Sequence, residues 1–239
     1  MRILGILSGK GGTGKTTICT NLARALSKNN KVGIFDADIT GSNIVTALGN
    51  KIDRPVSISE DGNYVIPAQV NGIQVFSTDI YKTKKSRKNG APLLRPGIWK
   101  SNYVMDVFMS MKFDVDYLLI DFPPGVDDHT QTLLKSIMNM KALIITTPDP
   151  KSIENAKDCI KMLKYYKIPI IGVIETMRNY EYVDGKKPKL LPLIQGPDVK
   201  KELGIKLLDS IPFKPDIGPD DFKNLAKKIK RIINGAGGE

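Results

Sequence analysis

Nine residues near the start, Gly9-Lys10-Gly11-Gly12-Thr13-Gly14-Lys15-Thr16-Thr17, constrain the fold of this chain more than any other stretch. They satisfy G-x-x-x-x-G-K-[ST], a loop whose small residues let successive backbone N–H groups converge on phosphate oxygens. Lys15 neutralises the outer phosphates and Thr16 offers a hydroxyl to Mg²⁺. The spacing therefore predicts a nucleoside triphosphate site contacted by Gly11, Gly12, Thr13, Gly14, Lys15, Thr16 and Thr17. Such a loop belongs between a buried strand and a helix N-terminus, where the helix dipole favours negative charge. The flanks agree: Ile3 to Leu7 reads as a strand, and Thr16 to Leu26 as a helix with Ile18, Leu22, Ala25 and Leu26 on one face. Lys10 is a cation that the motif does not require.

Beyond the loop, short apolar runs alternate with helical periods. That rhythm predicts an α/β fold, a doubly wound and mainly parallel sheet with helices on both faces. Further strands are expected over Lys31 to Asp36, Ile73 to Ser77, Tyr117 to Asp121, Ala142 to Thr147, Ile168 to Glu175 and Leu207 to Ile211. Helices are expected over Gly97 to Met111, Thr130 to Met138, Ser152 to Tyr165, Gly196 to Leu203 and Pro219 to Asn234. Val56 to Ala68 reads as a hairpin at the sheet edge. No Pro/Ser/Gly linker divides the 239 residues, so residues 1–239 are expected to form one domain. Two stretches break the rhythm and read as loops: the basic Tyr81 to Pro96, and Asn179 to Pro192 over the carboxyl edge, where open α/β sheets bind ligands.

The net charge of +11 admits acidic partners: nucleotide, nucleic acid or an anionic membrane face. Met1-Arg2 leads directly into the first strand and no apolar run reaches membrane-span length, so a cytoplasmic protein is expected. Cys19 and Cys159 are the two cysteines and His129 the one histidine. That excludes a disulfide framework and a four-ligand metal site built from one chain.

A set of carboxylates completes the nucleotide chemistry. Asp36-Ala37-Asp38 ends the second strand on the edge where the loop lies, so one carboxylate can enter the Mg²⁺ shell and the other can orient an attacking water. Asp121 closes the apolar run Tyr117 to Ile120, the Walker B arrangement for Mg²⁺. The metal set is then Thr16, Asp36 and Asp121, direct or through water. Pro123-Pro124-Gly125 makes a turn whose Gly125 N–H would read a γ-phosphate.

Residues 10 to 17 resemble the deviant Walker A loop of the MinD/ParA superclass of P-loop ATPases. Asp36 to Ser42, Leu119 to Gly125, Thr146-Thr147-Pro148 and Gly172 to Met177 resemble its Mrp/ApbC branch, whose members carry iron-sulfur clusters and hydrolyse ATP slowly. The resemblance implies a homodimer closing around two ATP molecules, with Lys10 reaching the nucleotide of the other subunit, Lys15 holding phosphate and Asp38 orienting water. It also implies switch segments at Asp38 to Asn43 and Asp121 to Asp128, and base contacts from Thr176, Pro212 and Phe213. Thr176 stands where the branch usually has Asn, so it can make one bond to the base edge but not a bidentate pair. The branch places a C-x-x-C soon after this point, whereas 179–192 holds no cysteine, which removes that route to a cluster.

The implied function is a Mg-dependent, slowly hydrolysing ATPase switch in iron-sulfur cluster or metallocofactor assembly, acting with a protein partner. The alternative is a spatial-organisation ATPase at a membrane surface or on DNA. Its motivation is the basic amphipathic helix at about 220–234, with Phe222, Leu225, Ala226, Ile229, Ile232 and Ile233 on one face, and the basic loop after Tyr81.

Overall fold

The computed structural model describes residues 1–38, 41–82, 101–185 and 187–235. Its strands are β1 (Arg2–Leu7), β2 (Val32–Asp36), β3 (Ile52–Arg54), β4 (Ser57–Ile58), β5 (Val65–Ile66), β6 (Ala68–Val70), β7 (Ile73–Phe76), β8 (Tyr117–Asp121), β9 (Met140–Thr146), β10 (Ile170–Asp184), β11 (Lys187–Pro192) and β12 (Leu207–Phe213). The helices are α1 (Lys15–Ser27), α2 (Ile44–Ala47), α3 (Ser101–Ser110), α4 (Asp128–Ser136), α5 (Pro150–Tyr165), α6 (Val199–Leu203) and α7 (Lys223–Ile233).

Ten strands form one sheet in the order β11-β10-β9-β1-β8-β2-β7-β6-β3, with β12 also paired to β10. The inner ladders are parallel, and the antiparallel ones lie at the margins, β6 with β7, β3 with β6, and β10 with β11. β1 lies in the middle, between β8 and β9, which puts the phosphate loop at the centre of the carboxyl edge.

Successive strand residues point to opposite faces, and each face receives its own helices. On one side Leu4, Ile6 and Leu119 pack with Ile18 and Leu22 of α1, Ile44 of α2, and Leu225 and Ile229 of α7. On the other, Leu7, Leu118 and Ile120 pack with Val104 of α3, Leu133 of α4, Ile153 and Leu163 of α5, and Val199 of α6. The doubly wound α/β sheet is thus the observed fold.

α7 uses its apolar stripe in this packing. Phe222, Leu225 and Ile229 are fully buried, and Ile232 and Ile233 rest against the same cluster. Lys141 Nζ donates to the carbonyls of Ile232 and Ile233 at 3.3 Å each, satisfying the last turn.

Two expectations change. Asn179 to Pro192 is no loop: β10 continues through it to Asp184, turns at Gly185 in the left-handed region (φ 66°), and returns as β11 from Lys187. Lys187, Pro188, Lys189 and Pro192 make the sequence read as loop, but proline and lysine are tolerated on an outer strand, where ladder N–H groups are not required. Pro212-Phe213 lies inside β12 and not beyond it. The hairpin expected at Val56 to Ala68 forms as β4 paired with β5. Of the basic stretch from Tyr81 to Pro96, residues 83–96 lie outside the described residues.

Candidate functional site

Sequence dictates the loop's shape directly. Gly14 caps α1 at φ 81°, a left-handed conformation that glycine adopts without steric cost, and no side chain caps the helix. The first-turn N–H groups therefore have no side-chain acceptor, as an anion site at a helix N-terminus requires. Gly9 is needed for close approach: a Cβ there would fall 2.2 Å from the Asn155 carbonyl oxygen in α5.

Lys15, Thr16 and Asp121 converge beneath the loop. Lys15 Nζ lies 2.8 Å from Asp121 Oδ1, and Thr16 Oγ1 donates to Asp121 Oδ2 at 2.7 Å. The ammonium, the hydroxyl and the carboxylate of this cluster are thus paired with one another. The donor set fits Mg²⁺ with triphosphate: a hydroxyl, a carboxylate and an ammonium share one point, and the buried Thr13 Oγ1 has no partner among the described residues. Burial raises the Asp121 carboxyl above the ordinary range, while Lys15 and the Thr16 hydroxyl pull it down.

Asp36 is beside Asp121 in register on β2 and is equally buried. Burial, then the neighbouring Asp121 charge, pushes its carboxyl up to about 8, so it holds a proton at neutral pH. Ser77 Oγ lies 2.7 Å from Asp36 Oδ2 and also touches Asp79 Oδ1. The one Ser77 hydroxyl proton is thus shared between two carboxylates. Ser77 and Asp79 carried no sequence signal beyond their position after a strand.

Asp38 stands on the rim of the loop pocket, which holds about 240 Å³ and is lined by Ser8, residues 10–17, Asp38 and Pro124. Its Oδ1 accepts from the Gly41 N–H at 2.9 Å. Gly125 is not among the residues lining this pocket, and its N–H donates to the Ser8 carbonyl at 2.9 Å, so it reaches a γ-phosphate only after that bond opens. Lys10, which lines the same pocket, is half exposed and lies 3.9 Å from Asp149 Oδ1. Asp149 meanwhile caps α5 by accepting from the Ser152 N–H.

A second pocket of about 250 Å³ adjoins the loop through Gly14 and Thr17, and Thr176, Pro212 and Phe213 all line it. Met177, the last residue of the Gly172 to Met177 stretch, joins them, with Ile211 and Lys214, which belong to no motif. The Thr176 hydroxyl donates to the Thr13 carbonyl at 2.8 Å. Below it Glu175, buried, receives a two-pronged bond from Arg178, Nε to Oε1 and Nη2 to Oε2 at 2.8 Å each, and a third from Ser210. Arg178 also donates to the Gly196 and Pro197 carbonyls. The root of the β10–β11 hairpin is thereby fixed beside the loop.

Both cysteines lie far from the hairpin in sequence and are buried, Cys19 in α1 and Cys159 in α5. Burial raises both thiols, that of Cys159 to about 12. Among the described residues no group of three or more His, Cys, Asp or Glu gathers as a metal site, and no helix is long and apolar enough to cross a membrane.

The family described as ParA: NUBPL iron-transfer P-loop NTPase matches residues 1–229. An iron-sulfur cluster carrier protein of Methanocaldococcus jannaschii is 38% identical over 96% of this chain and 84% of its own. Those of Aquifex aeolicus and Escherichia coli K12 are 31% and 34% identical over 92% and 73% of this chain; the matches span 60% and 46% of their lengths. In fold, the chain is similar to a nucleotide-binding protein of Archaeoglobus fulgidus solved with ADP (TM-score 0.68, 24% identity, covering 95% of this chain and 87% of that one). It is likewise similar to the septum site-determining protein MinD of Pyrococcus horikoshii, solved with Mg-ADP (TM-score 0.62, 23% identity, 98% and 95% covered).

Proposed function

Since the chain belongs to the NUBPL-type iron-transfer P-loop NTPases, we propose that it is a Mg²⁺-dependent ATPase switch that dimerises on ATP and serves iron-sulfur cluster or metallocofactor assembly. The observation that carries this reading is the convergence of Lys15, Thr16 and Asp121 on one point under an uncapped helix N-terminus. ATP would seat its phosphates on residues 11–17 and its base against Thr176, Pro212 and Phe213. Lys15 would turn from Asp121 to the phosphates, freeing that carboxylate and the Thr16 hydroxyl to hold Mg²⁺. The ion supplies charge neutralisation at the transferring phosphate. Asp38, on the pocket rim, would orient the attacking water.

Lys10 does not join its own Lys15 cluster, which supports a role on the nucleotide of a second subunit. Since neither cysteine is accessible, the thiolates for a cluster cargo would come from a partner protein. The membrane alternative loses its motivation, because the apolar stripe of α7 is spent on the core.

The test is ATP binding, dimerisation and hydrolysis in the wild type, Lys15→Ala, Lys10→Ala and Asp38→Ala. Lys15→Ala should lose binding, whereas Lys10→Ala and Asp38→Ala should bind ATP and not hydrolyse it. Full hydrolysis in the last two variants would remove the proposal. Anaerobic mixing with iron and sulfide should leave the purified chain iron-free; stable iron uptake by the chain alone would overturn the partner-held cargo.

A further inference from the structure

We infer that Thr176 and Met177 form a strut that holds the phosphate loop in its binding shape. The inference rests on the nucleotide-binding reading above and adds a positioning role at the end of β10. The Thr176 hydroxyl is buried and has one proton, which goes to the Thr13 carbonyl at 2.8 Å; the Thr146 carbonyl is a longer second neighbour at 3.3 Å. Thr13 C=O and Gly14 N–H belong to one trans peptide unit, in which the two groups point in opposite directions. Anchoring the carbonyl on Thr176 therefore turns the Gly14 N–H away from β10. In this motif the loop's N–H groups must face phosphate.

Met177 supplies an independent sign. Its backbone is left-handed at φ 61°, an unusual conformation for a bulky non-glycine residue. The chain leaves its ladder here, since the register of β10 against β12 shifts between Thr176 and Tyr180. The result places the Met177 methyl 3.6 Å from where a Gly14 Cβ would sit, beside a left-handed glycine of the loop. A hydroxyl bonded to the peptide before Gly14 and a methyl facing Gly14 restrain the loop from one side. Glu175 and Arg178 fix the strut in turn.

The experiment is calorimetric titration of the full chain with Mg-ATP, Mg-GTP and inorganic tripolyphosphate. Thr176→Val, nearly the same shape without the hydroxyl, should weaken all three by a common factor of roughly ten. Thr176→Ser should restore wild-type affinity. Met177→Gly, which relaxes the left-handed backbone but removes the side chain over Gly14, should weaken tripolyphosphate severalfold. It also stands as the test should Thr176→Val fail to fold. Wild-type tripolyphosphate affinity in the folded variants, or a Thr176→Val change confined to the ATP/GTP ratio, would overturn the strut. A wild type that binds none of the three ligands would instead overturn the nucleotide-binding reading, and the strut with it.

Discussion

Lys15 Nζ and Asp121 Oδ1 are 2.8 Å apart in a setting where both side chains are more than nine-tenths buried. Without nucleotide the two charges neutralise each other, so ligand binding exchanges partners and does not create charge in a bare cavity. Breaking a buried pair from one side leaves an uncompensated ion, at a cost of about 3–5 kcal/mol. Lys15→Ala should therefore lose both nucleotide binding and about that much stability at pH 8. The stability, but not the binding, should return as pH falls and Asp121 takes a proton. Denaturant melts of Lys15→Ala and of the Lys15→Ala/Asp121→Asn double variant check this, and equal stability of the two at pH 8 would contradict it.

Asp36 gives the nucleotide-free protein a pH dependence. Its carboxyl ionises near 4 in the unfolded chain and at about 8 when folded. Between those values the folded state holds a proton that the unfolded state has lost. Stability should thus fall as pH rises through that window, by a total of several kcal/mol. Asp121 is shifted in the same direction and adds to the slope. Asp36→Asn should flatten the melting temperature between pH 5 and 8, and an unchanged slope would assign the effect elsewhere.

Gly9 has no room for a side chain, because the nearest atoms to an added Cβ are the Asn155 carbonyl oxygen and carbon at 2.2 and 2.3 Å. Backbone cannot rotate aside as a flexible side chain can. Gly9→Ala should force α5 and the loop apart, costing about 1–3 kcal/mol and lowering nucleotide affinity. Wild-type thermal stability and affinity would show that the contact gives way freely.

Ile229 is fully buried between α7 and the sheet. Ile229→Ala should destabilise the fold by about 2–5 kcal/mol. The intact chain should not sediment with anionic vesicles through this helix, since its apolar stripe is already covered. Vesicle binding abolished by Ile229→Ala in a still-folded protein would reverse that conclusion.

Much of this was legible in sequence where chemistry and periodicity coincide. Tyr117 to Asp121 reads as a buried strand ending in a carboxylate, and the structure places Asp121 under the loop. The β10–β11 hairpin was hidden because lysine and proline carry the same composition on an outer strand as in a loop. Thr176 was legible as a residue of the site, but not its bond to Thr13. Direction within a pocket depends on the bulge after Thr176 and on the left-handed backbone at Met177, and the Gly172 to Met177 stretch carries the residue without announcing either. Asp36 shows the same limit: its position follows from the strand, whereas its proton follows from burial beside Asp121.

The central place of β1 has a consequence for how the chain is made. β1 is made before either of its ladder partners, which begin at Tyr117 on one side and Met140 on the other. More than a hundred residues must follow the strand carrying the phosphate loop before it has either neighbour. Thr176, the last contact on Thr13, emerges later still. The newborn loop thus waits for its scaffold until strands far along the chain have followed it, and any nucleotide that it is to grip waits with it.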